Sequence, residues 1–278
     1  MKTWLITGAS GGLGAQLARE ALSRGDRVVL SGRNLDALQQ LAAAAPSRAL
    51  AVRIDVEDIE SVRQGVAAAL EWSQIDVLVN NAGRGFHGAI EEVSDAESRA
   101  LFDTNVFGLL NVTRAVLPHM RARRSGHVIN IGSVAGLAAD AGTGHYCATK
   151  FAVEGISESM KVELVPLGIK VTVVEPGPFR TEFNGASARG TQNPIADYAE
   201  TAGKRAAGLL AGHGKQAGDP AKAARIICDI AAMDEPPLHL LLGSVGIDRA
   251  RGKLQRLRDE IDAWEERSRA TGFDQTAA

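Results

Sequence analysis

The sequence predicts an α/β fold in a single domain: a doubly wound parallel sheet with helices on both faces, followed by a C-terminal helical extension. Two observations predict it. Short apolar, β-branched runs recur at residues 3–7, 27–31, 49–55, 77–80, 127–131 and 170–175, and longer stretches with helical spacing separate them. The runs are apolar throughout instead of alternating, as strands covered on both faces require. Such a βαβ order winds right-handed and places ligands in the crevice beyond the carboxyl ends of the strands. At 278 residues, 45% of them hydrophobic, the chain can bury one sizeable core.

The first run leads into a helical pattern of Leu13, Leu17, Ala21 and Leu22, with Gly25 placed to cap it. Between strand and helix stands Thr7-Gly8-Ala9-Ser10-Gly11-Gly12-Leu13-Gly14. In that context a glycine turn lets the backbone approach a pyrophosphate closely, and the N–H groups and dipole of the helix start favour its charge. The spacing reads two ways, as GxxxGxG through Gly8, Gly12 and Gly14, or as GxxGxxG through Gly8, Gly11 and Gly14. The second run ends in Ser31-Gly32-Arg33, where a dinucleotide site for NAD carries an acidic side chain on the ribose 2′-hydroxyl. No acid is there. Arg33 instead suits a 2′-phosphate through charge-assisted hydrogen bonds, with Ser31 as a second donor, although an exposed arginine is also an ordinary solvated charge.

The third run ends at Asp55-Val56, where the aspartate can also cap the helix that follows. The fourth ends in Asn80-Asn81-Ala82-Gly83, and a later helix holds Asn105-Val106-Phe107-Gly108. The fifth run points Ser133 into the predicted crevice. Thirteen residues on, Tyr146-Cys147-Ala148-Thr149-Lys150 sets a phenol and an ammonium on one helical face. A phenol with a pKa of about 10 is a poor proton donor or acceptor at neutral pH, and a neighbouring cation lowers it. Ser133 can donate to an oxygen that gains negative charge. The sixth run ends in Pro176-Gly177-Pro178, with Thr181 beyond.

Residues 177–219 break the rhythm, being rich in small and polar types, and read as a mobile loop with one helix that closes over a substrate. After a last strand at 238–242, the charged tail aligns Ala250, Leu254, Leu257, Ile261 and Trp264 in one apolar stripe, a helix docked on its own domain or on a partner subunit. The domain reading is 1–243 for binding and catalysis and 244–278 for the extension.

Composition removes other classes. Thirty-one basic and 33 acidic residues give a net charge of −2, without the basic footprint of a nucleic-acid binder. Cys147 and Cys228 form no CxxC pair and the six histidines no HExxH pattern, so neither a disulfide framework nor a metal site is expected. No basic leader and no run of about 18 apolar residues is present, so the expectation is a cytoplasmic protein without a membrane segment.

Taken in order, TGxxxGxG, NNAG, the asparagine, Ser133, YxxxK and PG resemble a classical short-chain dehydrogenase/reductase over residues 3–243. The resemblance implies a Rossmann-type fold and hydride transfer between a nicotinamide cofactor and a small-molecule carbonyl or alcohol, with NADP(H) ahead of NAD(H). It implies Ser133, Tyr146 and Lys150 as the catalytic set, with Asn105 holding a water that relays protons to the lysine. It further implies Gly8, Ser10, Gly12, Leu13, Gly14, Asp55, Val56, Asn81, Ala82, Gly83, Pro176, Gly177 and Thr181 at the cofactor. Asp55 would contact the adenine and Thr181 the carboxamide. A homodimer or homotetramer is implied, with the extension after Gly243 a departure that bears on the interface. The residues also admit an extended-type epimerase or dehydratase, and a non-catalytic nucleotide-binding redox sensor. Phe86, Leu137, His145, Phe179 and Phe183 are candidates for a largely apolar substrate pocket.

Overall fold

The computed structural model describes residues 1–185 and 188–273. Seven strands form one parallel sheet: β1 (Thr3–Thr7), β2 (Arg27–Gly32), β3 (Ala49–Arg53), β4 (Val77–Asn80), β6 (Gly126–Ile131), β7 (Ile169–Pro176) and β9 (His239–Leu242). Their order is β3-β2-β1-β4-β6-β7-β9. The winding reverses between β1 and β4, which opens the ligand crevice over the ends of those strands.

Alternation along β1 shows why the strands had to be apolar throughout. Trp4 and Ile6 face α1 (Gly12–Ser23), α2 (Leu35–Ala42) and α8 (Pro220–Ala232), while Leu5 faces α3 (Ile59–Trp72), α5 (Gly108–Arg123) and α6 (Gly144–Leu164). Helix α1 ends as its glycine predicts: Gly25 takes φ +89° and the Asp26 N–H donates to the Ala21 carbonyl. The third strand stops at Arg53, two residues short of the expected end, because the Asp55 N–H turns away to the Ser61 hydroxyl.

Two departures concern the later chain. Residues 177–219 hold more structure than one helix. A three-residue strand, β8 (Ala188–Gly190), pairs in parallel with β5 (Gly85–His87), and after a π-turn comes α7 (Lys204–Ala211). Positions 186–187 of that segment lie outside the described residues. Helix α9 (Ser244–Arg269) forms where the stripe predicts it, yet only its first turns dock. Ala250 is buried, whereas Leu254, Leu257, Ile261 and Trp264 are exposed, so the stripe does not cover its own domain. Positions 274–278 of the predicted extension are likewise outside the description.

Candidate active site

The β1–α1 turn is built by backbone, and its conformation decides between the two glycine spacings. Gly8 (φ +64°) and Gly12 (φ +54°) sit in the left-handed region, which side chains disfavour. At Gly14 a Cβ would lie 2.5 Å from Asn81 Nδ2 and 2.6 Å from the Gly8 carbonyl. Gly11 is extended, and a Cβ there would meet nothing within 4 Å. The required glycines are therefore 8, 12 and 14, the GxxxGxG spacing.

Thr7 and Asn81 lock this turn to β4. The Thr7 hydroxyl accepts from the N–H groups of Asn81 (2.9 Å) and Ala82 (3.0 Å), and Asn81 Nδ2 donates to the Thr7 carbonyl at 2.8 Å. Asn80 points the other way, donating to Thr113 and Asn130 inside the core.

A cavity of about 940 Å³ runs from this turn to segment 177–219. Of the predicted positions, Gly8, Ser10, Gly12, Leu13, Arg33, Asp55, Val56, Asn81, Ala82, Gly83, Ser133, Tyr146, Lys150, Pro176, Gly177 and Thr181 line it. Arg33 is exposed at its edge, and among the described residues no carboxylate pairs with it. Asp55 accepts the Glu57 N–H through Oδ1, while Asp58, not Asp55, caps α3. Thr181 stands beside the turn, its Cβ 3.6 Å from where a Cβ of Gly12 would be. Gly177 lets α9 start close by, since a Cβ there would lie 2.9 Å from the Gly246 nitrogen.

Three predicted residues do not reach the cavity wall. Gly14 makes room for Asn81, as above. Ser31 is fully buried and its hydroxyl donates to the Ile6 carbonyl at 3.1 Å, so it is no second donor beside Arg33. The reason is the pleat: Ser31 faces into the sheet, and Gly32 and Arg33 lead out. Asn105 is buried in a π-turn at Asp103–Phe107. Its Oδ1 accepts the Arg84 N–H at 2.9 Å, and its Nδ2 donates to the Arg84 carbonyl (3.0 Å) and the Thr149 hydroxyl (3.1 Å). The amide is thus committed to the wall that carries Tyr146 and Lys150, not to the lysine itself.

Ser133 stands two residues beyond the end of β6, and Tyr146 and Lys150 project from the first turns of α6. Lys150 Nζ donates to the Ile131 carbonyl at 2.7 Å and lies 5.9 Å from the Tyr146 ring centroid. Burial pushes the Lys150 ammonium down to about 8, opposed by the charge of Glu154. It pushes the Tyr146 phenol up to about 12, with the Ser133 hydroxyl acting the other way. Contrary to the expectation from sequence, the phenol is raised despite the lysine beside it. In the protein alone desolvation dominates, because the ammonium is aimed at a carbonyl and its own charge is disfavoured.

The substrate side departs further from expectation. Phe179 and Phe183 line the cavity, and the Phe183 ring stacks obliquely on Tyr146 at 5.6 Å. Phe86 is packed away, Leu137 is not on the wall, and His145 bonds to the Ser98 hydroxyl at 2.9 Å. The wall instead holds His87, Asp140, Arg205 and Arg249, which sequence patterns did not single out. Asp140 Oδ2 pairs with Arg205 of α7 at 2.7 Å and with Arg249 of α9 at 3.0 Å, tying α7 and the C-terminal helix to one carboxylate. No spacing rule links positions so far apart in the chain.

Among the described residues both cysteines are free and buried, and no helix is long and apolar enough to cross a membrane.

The sequence profile of the short chain dehydrogenase family matches residues 2–192. "Oxidoreductase BOA17" of Botryotinia fuckeliana is 34% identical over 272 residues, covering 97% of this chain and 99% of the relative. A short-chain dehydrogenase from Streptomyces avermitilis superposes with a TM-score of 0.91 at 43% identity, covering 98% of this chain and 100% of that one. Two further structures hold nicotinamide cofactors. A closed serine dehydrogenase with NADP+ has a TM-score of 0.75 at 29% identity and covers 86% of this chain and 94% of its own. A Burkholderia phymatum short chain dehydrogenase/reductase with NAD has a TM-score of 0.82 at 25% identity and covers 95% of each chain.

Proposed function

The chain belongs to the short-chain dehydrogenase family of oxidoreductases, and from that premise we propose that it is an NADP(H)-dependent enzyme interconverting a carbonyl and an alcohol. The observation that carries the reading is the meeting of Ser133, Tyr146 and Lys150 with the glycine turn on one cavity.

The residues present fit a dinucleotide: two left-handed glycines, a third whose missing Cβ closes the turn, and where β2 ends a cation that no carboxylate pairs with among the described residues. Gly8, Ser10, Gly12 and Leu13 would hold the pyrophosphate, Arg33 the 2′-phosphate, Asp55 and Val56 the adenine, and Asn81 to Gly83 the ribose. Pro176, Gly177 and Thr181 would flank the nicotinamide. When bound, that ring supplies or accepts the hydride.

The chain's own groups handle the oxygen and its proton. Ser133 donates a hydrogen bond to the carbonyl oxygen as negative charge grows there. Tyr146 gives the oxygen its proton in reduction and takes it back in oxidation, a step worth about 10²–10⁴ in rate. Lys150 holds positive charge near the phenol, and its desolvated amine exchanges protons near neutral pH. Asn105 holds the Arg84 backbone and the Thr149 hydroxyl behind them and so positions α6.

Residues 1–243 carry this chemistry, with 177–219 as lid, and the exposed stripe of α9 serves self-association as a dimer or tetramer in the cytoplasm. The alternatives differ in their use of tyrosine. A redox sensor would bind nucleotide without turnover, and an epimerase would turn over without net cofactor oxidation. NADPH oxidation monitored across aldehydes and ketones, with wild type and Tyr146→Phe, tests the reading. Carbonyl-dependent oxidation that the variant loses supports it, and turnover retained by the variant refutes the assigned proton donor.

A further inference from the structure

Two polar side chains on the cavity wall have no part in the chemistry above. His87 lines the cavity and is 7% exposed, yet among the described residues neither of its ring nitrogens has a hydrogen-bond partner. Arg205 gives one of its five N–H donors to Asp140, and its Nε is buried without a partner among the described residues. Buried polar groups left unpaired are costly, so a wall that carries two of them side by side is suited to a ligand that pairs with both.

The backbone places both on the Tyr146 side of the cavity. The Gly88 N–H donates to the Gly142 carbonyl at 2.9 Å, so β5 carries His87 against the loop that joins Ser133 to α6. Asp140 stands in that loop and holds the two guanidiniums, Arg205 at 2.7 Å and Arg249 at 3.0 Å. The turn that leads into α7 packs on the same loop, since a Cβ at Gly142 would lie 2.9 Å from the Ala202 carbonyl. Phe179, Phe183, Leu209 of α7 and Val245 of α9 supply apolar wall to the same cavity.

Charge narrows the kind of ligand. On this side Arg189, Arg205 and Arg249 line the cavity with Asp140 and Glu182, three cations against two carboxylates. Burial pushes the His87 imidazole down and the nearby Arg205 charge adds to it, so the ring is neutral at neutral pH and offers one N–H and one lone pair. A planar guanidinium with unused donors, a neutral ring N–H and one surplus positive charge match a carboxylate, whose two oxygens accept in one plane. A hydroxyl or ester oxygen leaves the surplus charge unmet, and a doubly charged phosphate exceeds it.

We propose that the substrate is an oxo acid: its carbonyl meets Ser133 and Tyr146, and a carboxylate carried on an apolar chain meets His87 and Arg205. Arg249 adds its charge beside them, and Asp140 keeps both guanidiniums in place. This rests on the function proposed above and narrows its substrate. The reaction is otherwise unchanged: the carbonyl carbon gains the hydride of NADPH and the oxygen gains the Tyr146 proton, giving a hydroxy acid and NADP+, while the carboxylate enters and leaves ionised. His87 and Arg205 select and orient the substrate.

The test has an arm that needs no turnover. Calorimetry of the full-length protein saturated with NADP+ should show straight-chain carboxylates, hexanoate through decanoate, binding more tightly than their neutral amides. Arg205→Gln should weaken the best of them by about 10- to 100-fold, the worth of a charge-assisted hydrogen bond, with NADPH affinity unchanged. Carboxylates bound no better than amides overturn the subsite, and so does an Arg205→Gln that weakens NADPH as much, which would give the arginine to the cofactor. In the kinetic arm, kcat/KM for straight-chain oxo acids should exceed that for their methyl esters by about 10- to 100-fold at the best chain length, and Arg205→Gln should collapse that ratio through KM. If that variant does not fold, Arg249→Gln reports on the same charge from α9. Esters reduced as well as acids at every length overturn the proposal and leave the oxidoreductase reading standing. Carboxylate binding without turnover of any oxo acid supports the subsite and contradicts the reading it rests on.

Discussion

The two halves of the cavity are built by different means. The half around the glycine turn is backbone: the turn itself, strand ends and Asn81 held by main-chain hydrogen bonds, all from local motifs. The opposite half is side chain: Phe179, Phe183 and the Asp140 clamp on Arg205 and Arg249, drawn from four distant segments. A backbone-built site tolerates no added atom at its turns. A side-chain-built site can be retuned one residue at a time, which separates the expected effects of substitution.

The largest effect belongs where the halves meet. Tyr146→Phe should lower kcat for carbonyl reduction by about 10²–10⁴ and leave the NADPH dissociation constant within about threefold, measured by steady-state kinetics beside calorimetry. Next comes the cofactor edge. Arg33→Ala should weaken NADPH by about 10- to 100-fold, the worth of a charge-assisted hydrogen bond, and NADH far less. Equal weakening of both would remove Arg33 from the 2′-phosphate.

The glycines sharpen the comparison. Gly14→Ala forces a Cβ to 2.5 Å from Asn81 Nδ2, which should destabilise the fold by about 1–3 kcal/mol and abolish nucleotide binding. Gly11→Ala enters open space and should shift stability by no more than about 0.5 kcal/mol, read from thermal melts. A modest effect belongs to the clamp. Asp140→Asn loses two part-exposed ion pairs of about 0.2–1 kcal/mol each, so KM for the carbonyl should rise a few-fold with NADPH affinity unchanged.

The same division explains what was legible in the sequence. All seven strands of the large sheet were readable as apolar runs, because each is covered on both faces. Gly8, Gly12, Asn81, Ser133, Tyr146 and Lys150 were readable because each lies at the end of a strand or the start of a helix, where position fixes direction. Ser31 was misjudged by one residue of pleat, since alternate side chains of a strand face opposite ways. Asn105 could be placed on a helix but not in its π-turn, whose extra residue rotates the amide toward Arg84. The substrate wall was not legible: Asp140, Arg205 and Arg249 meet only through the docking of α7 and α9.

The central claim is that the backbone-built half holds a nicotinamide dinucleotide, and calorimetric titration of the purified protein with NADPH and with NADH tests it without knowledge of the substrate. The account predicts saturable one-to-one binding of NADPH, tighter than NADH by a margin that Arg33→Ala removes. Tighter binding of NADH would contradict the coenzyme assignment, and no binding of either would contradict the enzymatic reading itself.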